Sequence, residues 1–412
     1  MKIVIIGSGI MGLTSAYFLN NSDNQIEIIE SDSSMSGASH GNAGYIAPGH
    51  VRPVANLEFL AKGIGWMFQQ RSPFYIRPQL RLSLAKWLLR FLAACRDKTG
   101  NEERMVAQAM LNLLSQKEYE KIEKKLGKPL ISKKGLFYLT KNEKLMSKLA
   151  KEKELSERFN IKASMCDASE VLKIDPKLKG NYVGGIHFHD DWHCDPTPLI
   201  ESLKDMLIQE GTKFTEDVTA EQLVKSHGRV VAVRTSCGKT IDGDMFLVCT
   251  GSKNQLLKNA GMSLLIEPAK GYSITLKAPK DLFQSPFIVY EDKLAVTPMG
   301  ENIRFGGTLE LSGHDNVINK VRIDTIMDKA KQFLPDFPFP QYNSKDFWFG
   351  YRPLSFDTLP FIGNSHEYDN LFANIGHGML GLTQAAGSSK LVSEMMIGKT
   401  SSIATSCFDP YR

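Results

Sequence analysis

Apolar runs at the amino terminus alternate with short polar turns, in a pattern that predicts a strand, a helix and a second strand. Residues 3–6 form a β-branched run, which is typical of a parallel strand buried on both faces. A glycine-rich turn follows, residues 13–20 have helical spacing, and residues 26–29 form the next apolar run. This order predicts a βαβ unit that opens the chain.

The rest of the chain mixes longer helical segments with strand-like ones. Helices are predicted over residues 80–95, 102–126, 197–210, 323–333 and 382–397. Strands are predicted over residues 135–140, 184–188, 230–235, 245–249 and 371–375, with a sheet-rich block at 271–310. Because the two kinds of segment are interleaved and no repeats or low-complexity linkers occur, we expect two discontinuous domains.

Composition narrows the class of protein. The chain has 412 residues, 42% of them apolar and 23% charged, which excludes a disordered chain, a collagen and a coiled coil. The formal net charge is +5, yet residues 59–96 carry seven basic and no acidic side chains. The cationic character is therefore local, and the remainder of the chain is close to neutral.

Two features bear on location. The first 22 residues contain only one charged side chain, Lys2, and so imitate a signal peptide. Glycines at fixed spacing within this run, and the second strand directly after it, favour a buried strand and turn instead. The six cysteines are widely spaced and form no CxxC pair, which is typical of a protein in a reducing compartment, and we expect a cytoplasmic location.

Gly7, Gly9 and Gly12 match the pattern GxGxxG directly between a strand and a helix. The first glycine permits a tight turn, the second lets a pyrophosphate approach the backbone, and the third lets helix and strand pack closely. The helix N-terminus then faces the phosphates. Glu30 ends the second strand, where a carboxylate binds ribose hydroxyls and disfavours the 2′-phosphate of NADP. The motif predicts a dinucleotide site, for NAD or FAD.

Two further loops favour the longer cofactor. Residues 39–44, Ser-His-Gly-Asn-Ala-Gly, are small and polar and lie shortly after Glu30. Residues 376–383, Gly-His-Gly-Met-Leu-Gly-Leu-Thr, precede a predicted helix whose N–H groups can stabilise the negative charge of a reduced flavin. Cofactor loops at opposite ends of the chain indicate an extended ligand.

These loops, together with Gly-Tyr-Arg-Pro-Leu-Ser-Phe-Asp-Thr-Leu-Pro-Phe-Ile-Gly at residues 350–363, resemble the FAD-dependent D-amino-acid oxidase superfamily. Within it, residues 41–44, 72–78 and 87–92 are most similar to bacterial D-amino-acid dehydrogenases. The resemblance extends over essentially the whole chain. It implies an α/β protein in which a Rossmann-like FAD-binding domain is interleaved with a mixed-sheet (α+β) substrate domain.

The resemblance also implies domain boundaries and cofactor contacts. The FAD-binding domain would comprise residues 1–80, 195–260 and 350–412, and the substrate domain residues 81–194 and 261–349. FAD would be bound non-covalently. Its implied contacts are Gly7, Gly9, Ile10, Met11, Gly12, Glu30, Ser39, Asn42, Ala43, Gly44, the backbone of Val218 at the adenine, Thr250, Gly251, Gly376, Met379, Gly381, Leu382 and Thr383.

Arg352 occupies the position of the arginine that grips the substrate carboxylate in related oxidases. A planar guanidinium can hold a carboxylate through two charge-assisted bonds. The resemblance implies hydride transfer from Cα to flavin N5, which gives an imino acid that water hydrolyses to a 2-oxo acid and ammonia, or a cyclic imine from an imino-acid substrate. Tyr272 and Tyr290 fall on segments that line related pockets and are candidate substrate contacts, although either could instead pack within the sheet.

Other readings of the sequence remain open at this point. The cluster of His187, His189, His193 and Cys194 could suggest a metal site, but the matching superfamily segment uses no metal, and we expect none. His50 could face the pocket or be a polar loop residue. Rival activities are an O2-using glycine or sarcosine oxidase, a tRNA-modifying flavoenzyme and a redox-silent flavin-binding protein; a nucleic-acid partner is not expected, because no aromatic platform for bases is present.

Residues 84–92 combine apolar side chains with Lys86 and Arg90 in a basic amphipathic pattern. Such a helix can lie on an anionic membrane, where a dehydrogenase would pass electrons to a quinone or another acceptor of the membrane chain. It can equally pack into the core with its cations reaching solvent. The sequence thus allows peripheral contact with the inner face of the cytoplasmic membrane.

Overall fold

The β-branched residues at the amino terminus form the central strand of a parallel sheet, as the sequence predicts. The computed structural model describes residues 1–20, 23–34, 37–56, 65 and 69–412. Within these ranges the strands, in chain order, are β1 (Lys2–Ile6), β2 (Gln25–Ile29), β3 (Tyr45–Ile46), β4 (Phe74–Ile76), β5 (Ile131–Ser132), β6 (Leu136–Thr140), β7 (Ala163–Asp167), β8 (Gly184–Phe188), β9 (Trp192–Cys194), β10 (Lys213–Thr215), β11 (Ala220–Ser226), β12 (Arg229–Thr235), β13 (Thr240–Asp242), β14 (Met245–Val248), β15 (Ile266–Lys277), β16 (Phe287–Val289), β17 (Leu294–Met299), β18 (Asn302–Leu311), β19 (Phe347–Ser355), β20 (Phe361–Asn364) and β21 (Leu371–Ile375).

Helices connect and cover these strands. In chain order they are α1 (Ile10–Leu19), α2 (Leu82–Arg96), α3 (Lys98–Leu126), α4 (Glu143–Glu157), α5 (Ala168–Ile174), α6 (Pro196–Gln209), α7 (Gln255–Asn259), α8 (Lys320–Phe333) and α9 (Gly381–Met396). The helix α3 shows how local sequence sets the bounds: the Asp97 side chain accepts the N–H of Gly100 at its start, and Gly127 closes it in the left-handed conformation.

A six-stranded sheet forms the first layer, in the order β10-β2-β1-β14-β21-β20. All its neighbours are parallel except β20 and β21. Alternate residues of β1 point to opposite faces: Ile3 and Ile5 pack in the core under α1, α6 and α9, while Val4 and Ile6 pack under the β11-β12-β13 sheet. A strand buried on both faces needs this continuous apolar run.

A nine-stranded mixed sheet forms the second layer, in the order β19-β15-β18-β17-β16-β6-β8-β7, with β4 paired to β18. Its pairings are antiparallel except for β6 with β16 and β4 with β18. One face packs against α8 around Tyr272, Phe305 and Ile326. The other face meets residues 40–43 of the loop that follows β2. A small sheet of β3, β9 and β5 lies beside it.

This architecture confirms the predicted fold class, a Rossmann-like sheet interleaved with a mixed sheet. The predicted domain boundaries stay a prediction, and several strands pair across them, including β3 with β9 in the small sheet. The strand β4 falls in a segment assigned to the FAD-binding domain, and β19 crosses the boundary at residue 350, yet both pair within the nine-stranded sheet.

The basic segment 59–96 lies partly outside the described residues, including Phe59 and Lys62. In the described part, Leu84, Trp87 and Phe91 of α2 are buried in the core, so the apolar face that the sequence singled out packs inward. A different face is exposed, and it carries Leu82 and Leu89. Within the described ranges, no helix is both long and apolar enough to cross a membrane.

Candidate active site

Gly7 and Gly12 allow three backbone segments to come together at the carboxyl end of β1. Gly7 has φ +106°, and a Cβ there would lie 2.7 Å from the carbonyl oxygen of Cys249. A Cβ on Gly12 would lie 1.8 Å from the carbonyl oxygen of Gly7. Neither position accepts a side chain, so the turn holds α1 against β1 and β14 with its N-terminus open toward the sheet edge.

The N-terminus of α1 offers donors to a ligand. Its cap residue, Gly9, makes no side-chain hydrogen bond, and no acidic residue lies in the first turn. The N–H of Ile10 donates to Ser39 Oγ at 3.1 Å, which brings the second cofactor loop onto the first. Glu30 Oε2 accepts the N–H and the hydroxyl of Ser8 at 2.7 and 2.9 Å. The fold thus gathers the predicted ribose and phosphate contacts at one sheet edge.

Other predicted contacts lie at the same edge. Val218 is next to Glu30, and its N–H donates to the Glu30 carbonyl oxygen at 3.0 Å. Thr250 and Gly251 follow β14, the strand paired with β1, and Thr250 Oγ1 donates to the carbonyl oxygen of Lys253. The carboxyl ends of parallel strands are where ligands bind in open α/β sheets.

The loops from the two ends of the chain meet at Thr383. Its Oγ1 donates to the carbonyl oxygen of Tyr45 at 3.0 Å and accepts the N–H of Ala47 at 3.2 Å. The helix α9 begins beside it with no side-chain cap and no acidic residue in its first turn, so its N–H groups can face a negative charge. His377, just before α9, is buried, and burial lowers the pKa of its imidazole to about 3, which keeps it neutral.

Arg352 lies on β19 with its guanidinium folded across the neighbouring strand. A Cβ on Gly271 would lie 2.0 Å from Arg352 Nη1, and Nη1 donates to the Thr308 carbonyl oxygen at 3.0 Å. The side chain therefore spans from β19 over β15 to β18. Burial, with the like charge of Arg322 adding to it, lowers its pKa to about 10, so it stays cationic at neutral pH. Among the described residues, no carboxylate lies within ion-pair distance of Arg352.

Comparisons with known proteins agree with this geometry. The family described as DAO, FAD dependent oxidoreductase, matches residues 2–395. The chain belongs to this family. It is 31% identical to a D-amino acid dehydrogenase of Rhizorhabdus wittichii over 98% of each chain. Its fold is similar to glycine oxidase from Geobacillus kaustophilus (TM-score 0.76, 19% identity, 100% and 98% of the two chains) and to L-proline dehydrogenase from P. horikoshii (TM-score 0.74, 17% identity, 100% and 97%).

Membership of the DAO family makes the protein an FAD-dependent oxidoreductase, and the residues present suit that cofactor. The glycine turn, the uncapped start of α1 and the carboxylate of Glu30 match the phosphates and a ribose. The start of α9 suits a group that gains negative charge. The predicted cofactor residues near both chain ends are thereby brought to one cleft.

Of the two candidate tyrosines, Tyr272 and Tyr290, strand alternation places only one on the sheet face that carries Arg352. Through the register of β15 with β19, Gly271 and Arg352 share one face of the sheet, and Tyr272 lies on the other. Tyr272 is buried in the core beside α8, and its hydroxyl donates to Glu310 Oε2 at 2.8 Å. Burial and the Glu310 charge raise its pKa. The structure therefore does not bring Tyr272 to Arg352.

Tyr290 lies at the end of β16, on the face that carries Arg352. Ile288 pairs with Ala295 on β17 and with Tyr138 on β6, and Tyr290 follows in the same alternation. Its ring stacks on Tyr138 with centroids 6.3 Å apart. The strand β18, where the Arg352 guanidinium ends, is two strands from β16, or about 10 Å. Tyr290 is thus placed at the far side of the same surface.

Sequence reasoning missed several residues on this surface. The Trp348 ring lies across Gly41 and Gly350: a Cβ on either glycine would be within 2.2 Å of it. Tyr138 bonds His50 Nε2 at 2.5 Å, and burial, with the charge of Lys293 adding to it, lowers the His50 pKa to about 4. His50 therefore faces the sheet. For Tyr138 no sequence signal existed, because β6 is buried on both faces.

Histidines of the segment from His187 to Cys194 contact other side chains of the protein. His187 stacks on Phe137 with ring centroids 4.2 Å apart, and His189 accepts or donates a bond with Ser164 Oγ at 2.9 Å. The part of the chain that the structure describes contains no group of three His, Cys, Asp or Glu side chains arranged to hold a metal ion.

Proposed function

We propose that the protein oxidises a D-amino or imino acid through bound FAD and passes the electrons to an acceptor other than O2. The observation that carries this proposal is the unpaired cation of Arg352, held above Gly271 on the sheet face that meets the cofactor loop. The name of the relative from Rhizorhabdus wittichii, D-amino acid dehydrogenase, supports the substrate class.

Each residue of the site has a separate role in the proposed reaction. Arg352 binds the substrate carboxylate through two charge-assisted bonds and so fixes the orientation of Cα. Bound FAD would supply the two-electron acceptor for the hydride of Cα. The substrate nitrogen loses a proton to water as the C–N double bond forms, and a second water then converts the imino acid to a 2-oxo acid and ammonia. Tyr290 and Tyr138 line the far side of the sheet surface, where a side chain of the substrate would lie.

Anaerobic bleaching of the flavin tests the activity. The holoenzyme is mixed with D- and L-amino acids, glycine, sarcosine and hydroxyprolines, and loss of the oxidised flavin absorbance is followed. We expect D-amino or cyclic imino acids to bleach it. Bleaching only by glycine or sarcosine, with one peroxide formed per turnover in air, would favour the oxidase alternative. No bleaching by any compound would favour a redox-silent flavin protein.

Arg352→Met tests the assignment of the carboxylate-binding group. The variant should keep its FAD, because Arg352 contacts the sheet and not the glycine turn. Its apparent KM should rise by about a hundredfold, because the lost charge-assisted hydrogen bonds to the carboxylate are worth up to about 3 kcal/mol. Unchanged kinetics would refute the role of Arg352.

We also propose that the exposed face of α2 lies on an anionic lipid surface, where a quinone would accept the electrons. Leu82 and Leu89 are 84% and 68% exposed, and Lys86, Arg90 and Arg96 are exposed beside them. Apolar side chains flanked by cations suit the interface of an anionic bilayer. The lipid-binding surface is this outward face, since Leu84, Trp87 and Phe91 pack inside.

Vesicle sedimentation tests the membrane proposal. The protein should sediment with vesicles rich in phosphatidylserine and stay in solution with phosphatidylcholine alone, and salt should weaken the binding. The double variant Leu82→Asp and Leu89→Asp should lose binding. The matched control Val231→Asp changes an apolar residue that is 39% exposed elsewhere and should bind as the wild type does. Equal binding by both variants would exclude α2 as the contact.

A further inference from the structure

The nine-stranded sheet binds every carbonyl of the loop from His40 to Ala43. Arg304 Nη1 donates to the carbonyl oxygens of His40 and Asn42 at 2.9 and 2.7 Å. Ser273 Oγ donates to that of Gly41 at 3.0 Å, and Thr297 Oγ1 to that of Ala43 at 2.7 Å. Four successive peptide groups are therefore fixed by three side chains of one sheet face.

Fixing the carbonyls also fixes the N–H groups. In a planar trans peptide the C=O and N–H bonds point in opposite directions, so the N–H groups of Gly41, Asn42, Ala43 and Gly44 point away from their sheet-side partners. The Gly44 N–H donates to Asn42 Oδ1 at 2.7 Å. For the other three, the described ranges contain no acceptor. Successive unpaired N–H groups of this kind form a site for negative charge.

The three anchoring side chains are themselves well held. Ser273 and Thr297 are 2% and 0% exposed, and Arg304 is 9% exposed. Arg304 also donates to Thr275 Oγ1 at 3.0 Å, and within the part of the chain that the structure describes it has no carboxylate within ion-pair distance. The loop therefore lies against a largely buried guanidinium that has no direct ion pair and on which the charge of Asp195 acts only from farther away.

We propose that Ser273, Thr297 and Arg304 are positioning residues that aim the N–H groups of Gly41, Asn42 and Ala43 at the flavin ring of FAD and so stabilise its reduced form. The ring gains negative charge on reduction, and preoriented donors in a site with little water favour such charge. The inference rests on the proposed function in that the flavin must cycle between redox states. It predicts that these sheet residues raise the reduction potential of the flavin.

The flavin midpoint potential of the holoenzyme tests this, measured by chemical reduction against a reference dye. The variants are Thr297→Val and Ser273→Ala, separately and together, since each removes one donor with little change in size. The matched control is Thr325→Val on α8, which removes a buried hydroxyl bound to the Val321 carbonyl oxygen at 2.6 Å. FAD affinity is measured alongside by flavin fluorescence.

We expect the double variant to bind reduced FAD at least tenfold more weakly relative to oxidised FAD. For a two-electron couple this lowers the potential by about 30 mV. The control Thr325→Val should have the wild-type reduction potential. Thr297→Ser, which retains the hydroxyl donor, should have it too. If the double variant does not retain FAD, each single variant and Arg304→Lys, which keeps the charge but not the two-carbonyl fork, should still lower the potential.

An unchanged reduction potential in variants that hold FAD would overturn the inference. Equal losses of affinity for oxidised and reduced FAD would also overturn it, because they would show that the loop contacts a part of FAD whose charge does not change on reduction. The reduction is chemical, so the result does not depend on any amino acid being a substrate. A wild-type protein that no amino acid bleaches would refute the proposed function and leave this measurement intact.

Discussion

Asp191 is a fully buried carboxyl group whose environment disfavours its charge. Its Oδ1 accepts the Gly49 N–H at 2.7 Å, while Oδ2 has no partner among the described residues. Burial raises its pKa well above the ordinary value, and the nearby Asp190 adds to the effect. A neutral, protonated Asp191 is therefore the form that the fold stabilises.

Asp191→Asn should raise the free energy of unfolding at pH 7 by about 1–3 kcal/mol, because the amide does not ionise in the unfolded chain and a pKa difference of one unit is worth about 1.4 kcal/mol. The unfolded carboxyl ionises near its ordinary pKa, whereas the folded one does not, so the wild type loses stability as the pH rises through that range. The gain should thus disappear below about pH 4. Urea denaturation at several pH values measures it. The exposed Asp336→Asn is the control and should change stability by less than about 0.5 kcal/mol.

Gly271→Ala should show whether substrate binding depends on the exact position of the Arg352 guanidinium, because it displaces this group without removing it. The added Cβ would lie 2.0 Å from Nη1, and since the guanidinium ends a flexible side chain, we expect it to move with little loss of stability. Displacing the carboxylate-binding group should raise the apparent KM at least tenfold with FAD retained. Steady-state kinetics measures this.

Gly306→Ala is the matched control for that variant. It lies on the same sheet face, and its Cβ would meet nothing nearer than 3.8 Å. Its KM should stay close to that of the wild type. An equal rise in KM for both variants would show that a methyl group on the sheet surface, and not displacement of Arg352, causes the effect.

At the scale of elements, the helix pair α3 and α9 depends on one close approach. A Cβ on Gly387 would lie 2.8 Å from the Leu111 carbonyl oxygen and 2.9 Å from the Ser115 nitrogen. Both are backbone atoms and cannot move as a side chain does. Gly387→Ala should lower the free energy of unfolding by about 1–3 kcal/mol, the usual cost of overpacking, and thermal melting measures it. Lys399→Ala on the exposed turn after α9 should leave the melting temperature near that of the wild type.

The strands and loops also differ in how far the sequence could predict the positions of their side chains. Gly7, Gly9, Gly12 and Glu30 lie within one βαβ unit, where short-range order determines the geometry, and their arrangement was predictable. The face on which Tyr272 lies was not, because β15 is apolar or buried along almost its whole length and carries no alternation to read. Loop contacts such as Trp348 on Gly41 join residues far apart in the chain, for which spacing gives no signal.

At the scale of the whole molecule, the cofactor cleft joins segments from both ends of the chain. Thr383 holds Tyr45 and Ala47, and Thr14 Oγ1 bonds Ser389 Oγ at 2.7 Å across α1 and α9. The two layers also meet there, through the sheet residues that bind the loop after β2. A ligand in this cleft would contact elements from both chain ends and both layers, and its binding energy should stabilise the folded state as a whole.

FAD should raise the melting temperature in proportion to the logarithm of its free concentration. At 100-fold above Kd the added stability is about 2.7 kcal/mol. With an unfolding entropy of about 2.1 cal/mol/K per residue, a chain of 412 residues gains about 3 °C. Thermal melting of the apoprotein across a range of FAD concentrations measures this, with FMN, which lacks the adenosine that Glu30 would bind, giving a smaller shift. A melting temperature independent of FAD would contradict a cleft built from both chain ends.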